Sequence, residues 1–446
     1  MVFFDGLKKS QFRSAAIRLC RNQSGNMLAL TALALPIILS MTGLGLEAAG
    51  WYQTRREMQN AADAAAIAAA SNGTSSYGGE AKAVAATFGF VNNVNNATVA
   101  VTNTASCPSG GSNCYGVTIT KAVPLLLSVL VGFQGSTTVA GRKAIQLQGY
   151  AAAQQTTTPR TYCVVALATS GNGVAFRTNG APKADLTGCN ILSNTNMTCN
   201  GHNLNADYGD AFGVNSGCGN VQTSNVPRLS DPYIGLASQI PANPCSSYPQ
   251  EPAKKGAPLP ASNQISGSYS WTGTKTICGD LQLTGDVTLT GSNLQLTIEN
   301  GRLDTNGYTF KTAAGAGATI IFSGSSAGGY THAPTGGGTL DIAAPTSGAW
   351  SGVAIYQDPG LTSGVDISAA GNSPTWNITG LVYLPNASVT FSGAVGKAGN
   401  GQSCFVLVID SLLINGTGSI LSTGGCAAAG LTMPTNPLPD RGKLVT

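Results

Sequence analysis

DLQLTGDVTLTGSNLQLTIENG, residues 280–301, sets the class of the larger part of the chain. Leu281, Leu283, Val287, Leu289, Leu294, Leu296 and Ile298 recur at period two within each run, and Gly, Ser and Asn separate the runs. Successive side chains of a strand point to opposite faces, so this pattern predicts short strands with one face turned to a core. It continues outward in YCVVAL, ATIIFSG, GVAIYQD, GLVYLPNASVTFSG and CFVLVIDSLLINGTGSI. Residues 162–430 therefore read as a β domain, interrupted at residues 231–262 by a Pro-rich excursion that does not alternate. Two architectures fit. A β-sandwich joins its strands by hairpins, whereas a parallel β-helix stacks turns of roughly 20 residues with Gly, Asn and Ser at the bends. The expected fold is mainly β with the parallel β-helix ahead of the sandwich, since Cys404 and Cys426 stand one such turn apart and could join neighbouring turns.

Toward the amino end the pattern changes to GNMLALTALALPIILSMTGLGLEAAG, residues 25–50. Residues 27–46 carry no charge. At 1.5 Å per residue such a helix covers about 30 Å, the thickness of a bilayer's hydrocarbon core, and it exceeds the usual secretory h-region of roughly 7–15 residues. Pro36 and the glycines are tolerated in membrane helices. Lys8, Lys9, Arg13, Arg18 and Arg21 precede the run against the single acid Asp5, which by the positive-inside rule keeps the amino end cytoplasmic and exports the rest. Arg55 and Arg56 on the far side soften the asymmetry without reversing it. Ala48-Ala49-Gly50 would suit a signal peptidase, but a retained anchor is the better account because helix formers run on past it.

The formal net charge of the 446 residues is +4, and residues 1–26 account for all of it; the remainder balances 18 bases with 18 acids. A nucleic-acid binder needs a basic stripe to offset phosphates, and the exported part has none. Charged residues make up only 9% while Gly numbers 58, a composition of strands and turns rather than of a helical cytosolic enzyme. Apolar residues at 42% are too frequent for a disordered chain. Of 11 cysteines, Cys20 precedes the anchor and ten follow it: Cys107, Cys114, Cys163, Cys189, Cys199, Cys218, Cys245, Cys278, Cys404 and Cys426. An even exported set is that of a disulfide framework in an oxidising compartment. Sequence does not fix the connectivity; short closures favour pairing in chain order. Metal binding is not expected, because no C-x-x-C occurs and His202 and His332 lack ligands at zinc spacing.

The organisation that follows is a basic tail (1–26), an anchor (27–49), a helical stem (50–75), a small α/β unit (76–151), a linker (152–161), the β domain (162–430) and a tail (431–446). In the stem, Trp51, Met58, Ala62, Ala65 and Ala69 share one shallow helix face suited to close packing. PLLLSVLVGF, residues 124–133, is too short to span a bilayer and reads as a packed or interfacial helix. No phosphate-binding loop or dinucleotide fingerprint occurs, and the glycine-rich FSGSSAGG at residues 322–329 lacks the Lys-Ser/Thr ending of a phosphate cradle. Asp207 and Asp210, near His202, form the densest acidic pair of the β region, where turn chemistry competes with a calcium or catalytic role. Trp271, Trp350, Tyr356 and Trp376 could stack on sugar rings or a protein partner, against the alternative of core packing.

Gly25-Asn26, the span ending in Gly45-Leu46-Glu47, Trp51-Tyr52, Arg55-Arg56, Met58-Gln59 and AADAAAIAAAS resemble the amino-terminal region of TadE/TadG-like proteins of bacterial tight-adherence (Flp) pilus systems. VPLLLSVLVGF with TTVAGRKA is similar to a stretch that follows in those proteins, and DPYIGLAS at Asp231, APTSGAWSGVAIYQD at Ala344, GLVYLPNASVTFSG and SCFVLVIDSLLINGTGSI resemble the β-rich half of TadG-like proteins. The resemblance implies an inner-membrane, periplasm-facing component of pilus assembly or adherence that acts on other envelope proteins, without enzymatic activity or cofactor. Two departures qualify it. Pilin-type precursors carry Glu as fifth residue after the cleaved Gly, where this chain has Leu30. Relatives with a von Willebrand type A domain continue Asp-x-Ser-x-Ser, where Asp410 is followed by Ser411-Leu412-Leu413-Ile414. A secreted or surface adhesin and a β-helical carbohydrate-active enzyme are the alternative readings; clustered carboxylates on one face would favour the enzyme.

Overall fold

The computed structural model of the chain describes residues 23–73, 75–107, 113–169, 173–180, 183–252, 258–369, 375–392, 404–416, 419–421, 426–439 and 442–445. Lys8, Lys9, Arg13, Arg18, Arg21 and Cys20 fall outside the described residues. The chain is mainly β with one long apolar helix near its amino end, and divides into two compact units, Met1–Thr158 with Pro439–Thr446, and Pro159–Leu438.

In the first unit a single helix, α1, runs through Gln23–Asn72 and passes Pro36 without a break. Downstream of that proline the hydroxyls of Ser40 and Thr42 donate to the carbonyls of Pro36 and Ile38 at 2.7 and 2.8 Å, as short polar side chains do where a helix must satisfy itself. Its composition changes along its length. Large apolar side chains such as Leu33, Leu39 and Met41 are exposed in the first half, whereas Met58, Ala61, Ala62, Ala65, Ala66, Ala69 and Ala70 are fully buried in the second. The buried residues lie against α2 (Tyr77–Thr87) and an antiparallel sheet of β1 (Ala97–Ala105), β2 (Cys114–Pro124), β3 (Thr137–Val139) and β4 (Arg142–Gln154). The order is β1-β2-β4 with β3 also on β4, and the short strand Lys443–Leu444 adds to the other side of β4.

Gly149 shows why the alanine face is shallow. A Cβ there would lie 2.8 Å from the main chain of Met58, so the helix backbone rests on the strand where neither carries bulk. Gln59 seals the contact, donating from Nε2 to the Tyr150 carbonyl at 2.7 Å. PLLLSVLVGF does not form the expected helix: only a 3-10 turn, Ser128–Val131, is made, and Gly132 ends it in the left-handed region at φ 87°. Branched Val129 and Val131 disfavour a longer helix, and Gly132 supplies the stop. Beyond it the chain makes the β3–β4 hairpin, turned by Ala140 and Gly141 at φ 47° and 76°.

In the second unit every pairing from Val164–Ala166 through Ser419–Leu421 for which a register is defined is parallel. The strand Thr375–Ser392 displays the plan: its first residues pair with Thr339–Ala343, its middle with Val353–Gln357 and its end with Ile367–Ala369. Three rows of stacked strands result. Parallel neighbours require a crossover rather than a hairpin, which is why the β-sandwich alternative does not describe these pairings.

Spatial order differs from chain order. Leu407 pairs with Val164, so the last long strand lies on the first, and the stack then continues outward through Ile191 and Gly209 to Val221. The chain must next reach Gln264–Tyr269 at the opposite end, and the Pro-rich excursion carries it there. Along the way it is tied to successive layers: Leu229 N–H donates to Asn194, the Tyr383 hydroxyl to Asp231 at 2.6 Å, and Asn243 to Glu299 at 3.0 Å. Asp280 N–H donates in turn to the Pro249 carbonyl. The interior holds large side chains in register, such as Leu296, Ile320 and Ile355, and Ile298 beside Phe322.

Candidate functional site

Two places in the chain combine polar geometry with an unusual setting. The first lies where the apolar half of α1 gives way to its alanine half. Glu47 points to the segment after β2 and accepts from the amides of Leu126, Leu127 and Ser128 at 2.9, 2.9 and 2.8 Å, and from the Ser128 hydroxyl at 3.1 Å. One carboxylate thus satisfies the first free N–H groups of the 3-10 turn with charge-assisted bonds. One helix turn earlier, Gly43 leaves room for Leu127, whose Cδ1 would stand 2.4 Å from a Cβ at that position; one turn later, Trp51 meets Phe133 with ring centres 5.8 Å apart. Among the described residues α1 is the one helix long and apolar enough to cross a membrane.

The second is a corner of the parallel stack where polar side chains of successive layers meet. Arg302 pairs with Glu251 and, at 3.4 Å, with Asp280, while Gln282 bridges Glu251 and Asp304 at 3.1 and 3.0 Å. Glu251 is raised above the usual carboxylate range by burial and by the charge of Asp304, against which Arg302 acts. Beside it Glu299, 1% exposed, is pushed up to about 7 by burial and by the charge of Asp358. Its partner is Asn243 of the excursion. His332, fully buried, is lowered by burial and faces Asn300 at 3.4 Å. Paired carboxylates of different acidity are the raw material of acid–base chemistry. Here, however, Asp280, Glu299 and Asp304 are buried beneath the excursion and each is held by a side-chain or backbone donor.

The residues singled out from sequence are placed as follows. Asp210 is fully buried, with the Arg160 guanidinium at 2.7 Å and the Tyr162 hydroxyl donating at 2.7 Å. Asp207 instead accepts from Gly188 N–H, and His202 Nδ1 from Leu204 N–H, so the three do not converge. Among the described residues no group of three or more His, Cys, Asp or Glu is arranged to hold a metal. Trp350, Tyr356 and Trp376 are core residues, as the packing alternative has it; Tyr356 stacks on Tyr383 with centres 4.6 Å apart. Trp271 is half-buried and donates to the Gln295 carbonyl. Asp410, raised by burial, lies within the strand Phe405–Asn415, and its backbone carbonyl accepts from Ala168 N–H. The ten cysteines form five pairs in chain order: Cys107–Cys114, Cys163–Cys189, Cys199–Cys218, Cys245–Cys278 and Cys404–Cys426. The last ties the start of the strand Phe405–Asn415 to the 3-10 turn Ala427–Ala429, and Cys245–Cys278 fixes the excursion to the layer it covers.

A long apolar helix that becomes an alanine-faced stem on a small antiparallel sheet is the build of a candidate single-span membrane protein. Residues 25–72, which are nearly the whole of α1, match the family model described as putative Flp pilus-assembly TadE/G-like. No match was found among curated proteins or among solved structures.

Proposed function

We propose that the chain is a structural or interaction component of Flp (Tad) pilus assembly or adherence machinery in the bacterial inner membrane. In this reading residues 27–49 are a retained anchor, residues 1–26 a cytoplasmic tail, and the rest faces the periplasm. There residues 50–75 form the stem, 76–151 the α/β unit, 152–161 the connection, 162–430 a parallel β-helix and 431–446 a tail. The ten exported cysteines are its oxidised staples, and its partners are other envelope proteins of the pilus system. It catalyses no reaction. The observation that supports this is the coincidence of the family match with the stretch of α1 that turns from a largely exposed apolar surface to a buried alanine face.

The test is fractionation of cells followed by sequencing of the mature amino terminus. The protein is expected in the inner membrane with its original amino end, and with a protease-resistant domain on the periplasmic side. Trp51 as first residue would remove the anchor and return the chain to the adhesin reading, whereas Asn26 as first residue would make residues 1–25 a trimmed leader rather than a cytoplasmic tail. The carboxylate corner gives the carbohydrate-active alternative its one specific support. Glycan cleavage by the purified chain, abolished in Glu299→Gln, would establish that alternative and displace the structural one.

A further inference from the structure

Among the described residues, most of the apolar surface of the segment clasped by Glu47 is left uncovered. Leu126, Leu130 and Val131 are 73, 81 and 61% exposed, and Leu127, Val129 and Phe133 are partly open as well. Six large apolar side chains within eight residues are more than scattered surface hydrophobes. Their position is fixed by the chain itself: Leu127 lies against Gly43, inside the last turn of the apolar run of α1, and the Glu47 bonds hold the turn at that level. The exposed surface is thus continuous with that of α1, where Leu39, Met41 and Leu46 are 63, 69 and 71% exposed. At the base of the segment Leu125 N–H donates to the Lys143 carbonyl, and Arg142 and Lys143 are both exposed on the adjoining hairpin. An apolar tip with cations set behind it is the arrangement of a segment that enters acyl chains while its bases meet lipid phosphates.

We propose that residues 125–133 form a wedge inserted into the bilayer leaflet from which α1 emerges, with Glu47 as the clasp that sets its depth. The proposal rests on α1 being the anchor. The wedge gives the anchor a second, off-axis contact with the same leaflet, so that the stem leaves the membrane at a fixed angle instead of swivelling about a single helix. Glu47, at the margin of the apolar span, has its carboxyl oxygens satisfied by four donors of the wedge.

The test uses the full chain with Cys20→Ser, reconstituted in phosphatidylethanolamine–phosphatidylglycerol vesicles. A polarity-sensitive fluorophore is attached at Leu130→Cys, at Leu39→Cys in α1, or at Glu80→Cys on α2. Nitroxides on lipid chains and iodide in the buffer then serve as quenchers. The chain nitroxides are expected to quench the probes at positions 39 and 130, and iodide the one at position 80. Quenching at 39 with iodide access at 130 would overturn the wedge and leave the anchor standing. Iodide access at 39 as well would overturn the anchor itself. A probe at 130 shielded from both quenchers would mean that protein covers the segment, and would also overturn the wedge. Glu47→Ala, which removes the acceptor of four bonds, is expected to lose most of the nitroxide quenching at 130 and none at 39. Gly43→Val, which displaces Leu127 without touching Glu47, should do the same.

Discussion

The two units reach cohesion by opposite means. In the first, α1 and the sheet hold one another through small residues: seven buried positions on one helix face are Met58 and six alanines, and Gly149 is the strand position beneath them. Each contributes little buried area, so stability depends on the backbones approaching closely. In the second, parallel layers enclose large side chains repeated in register, from Leu283 and Leu303 to Phe322, Trp376 and Phe405, and each contributes considerable area. The first unit should therefore be intolerant of added volume and the second of removed volume.

The sharpest break of that contrast is Phe322→Ala. Phe322 is fully buried between Ile298 and Gln357 of the adjoining layers, and its loss should cost about 4 kcal/mol through the cavity it leaves. Trp271, Trp350 and Trp376 lie in this unit, so denaturant unfolding in detergent followed by tryptophan fluorescence in a Trp51→Phe background reports on it. An unmoved midpoint would mean that the stack is not packed around this ring. The reciprocal change is Ala65→Leu, which inserts three heavy atoms where none fits and should cost about 2 kcal/mol. Faster hydrogen exchange in β2 and β4, with the tryptophan transition of the second unit unchanged, is the expected signature. If exchange is unaffected, close approach is not what holds the helix to the sheet.

The sequence discloses these units unevenly, and distance along the chain explains why. Period two in residues 281–298 and the helix face through Met58, Ala62, Ala65 and Ala69 are local patterns, and they read directly as strands and as a buried stem. The stacking order was hidden, because nothing near Val164 announces that Leu407 lies beside it. The Pro-rich excursion could be recognised as irregular but not as the return path that this order demands. Asn300 and Asn306, each followed by glycine and at φ 51° and 46°, turn the chain between rows of parallel strands, although the same dipeptide can equally close a hairpin. The carboxylate corner was invisible because Glu251, Asp280, Arg302 and Asp304 meet only through a register set by turn length. Glu47 stood out as the acid ending the apolar run, while its partners are 79 to 81 residues away.

Glu299 permits the finest test of how the second unit tolerates polarity in its layers. Its folded value of about 7 stands above that of an exposed glutamate, so between these values the folded chain binds a proton that the unfolded chain has lost. The favourable contribution is complete below the unfolded value, near pH 4.5, and fades as pH rises through about 7. Glu299→Gln keeps an acceptor for Asn243 and removes the charge that burial and Asp358 oppose. Above pH 7 the variant should be more stable than the parent by about 1–2 kcal/mol, less than the whole proton-linked term because the Asn243 bond loses its charge assistance. Near pH 4 the two should unfold together. The check is the same fluorescence transition recorded across that pH range, and a parallel pair of curves would show that Glu299 meets water in the folded chain and that the excursion does not seal the corner.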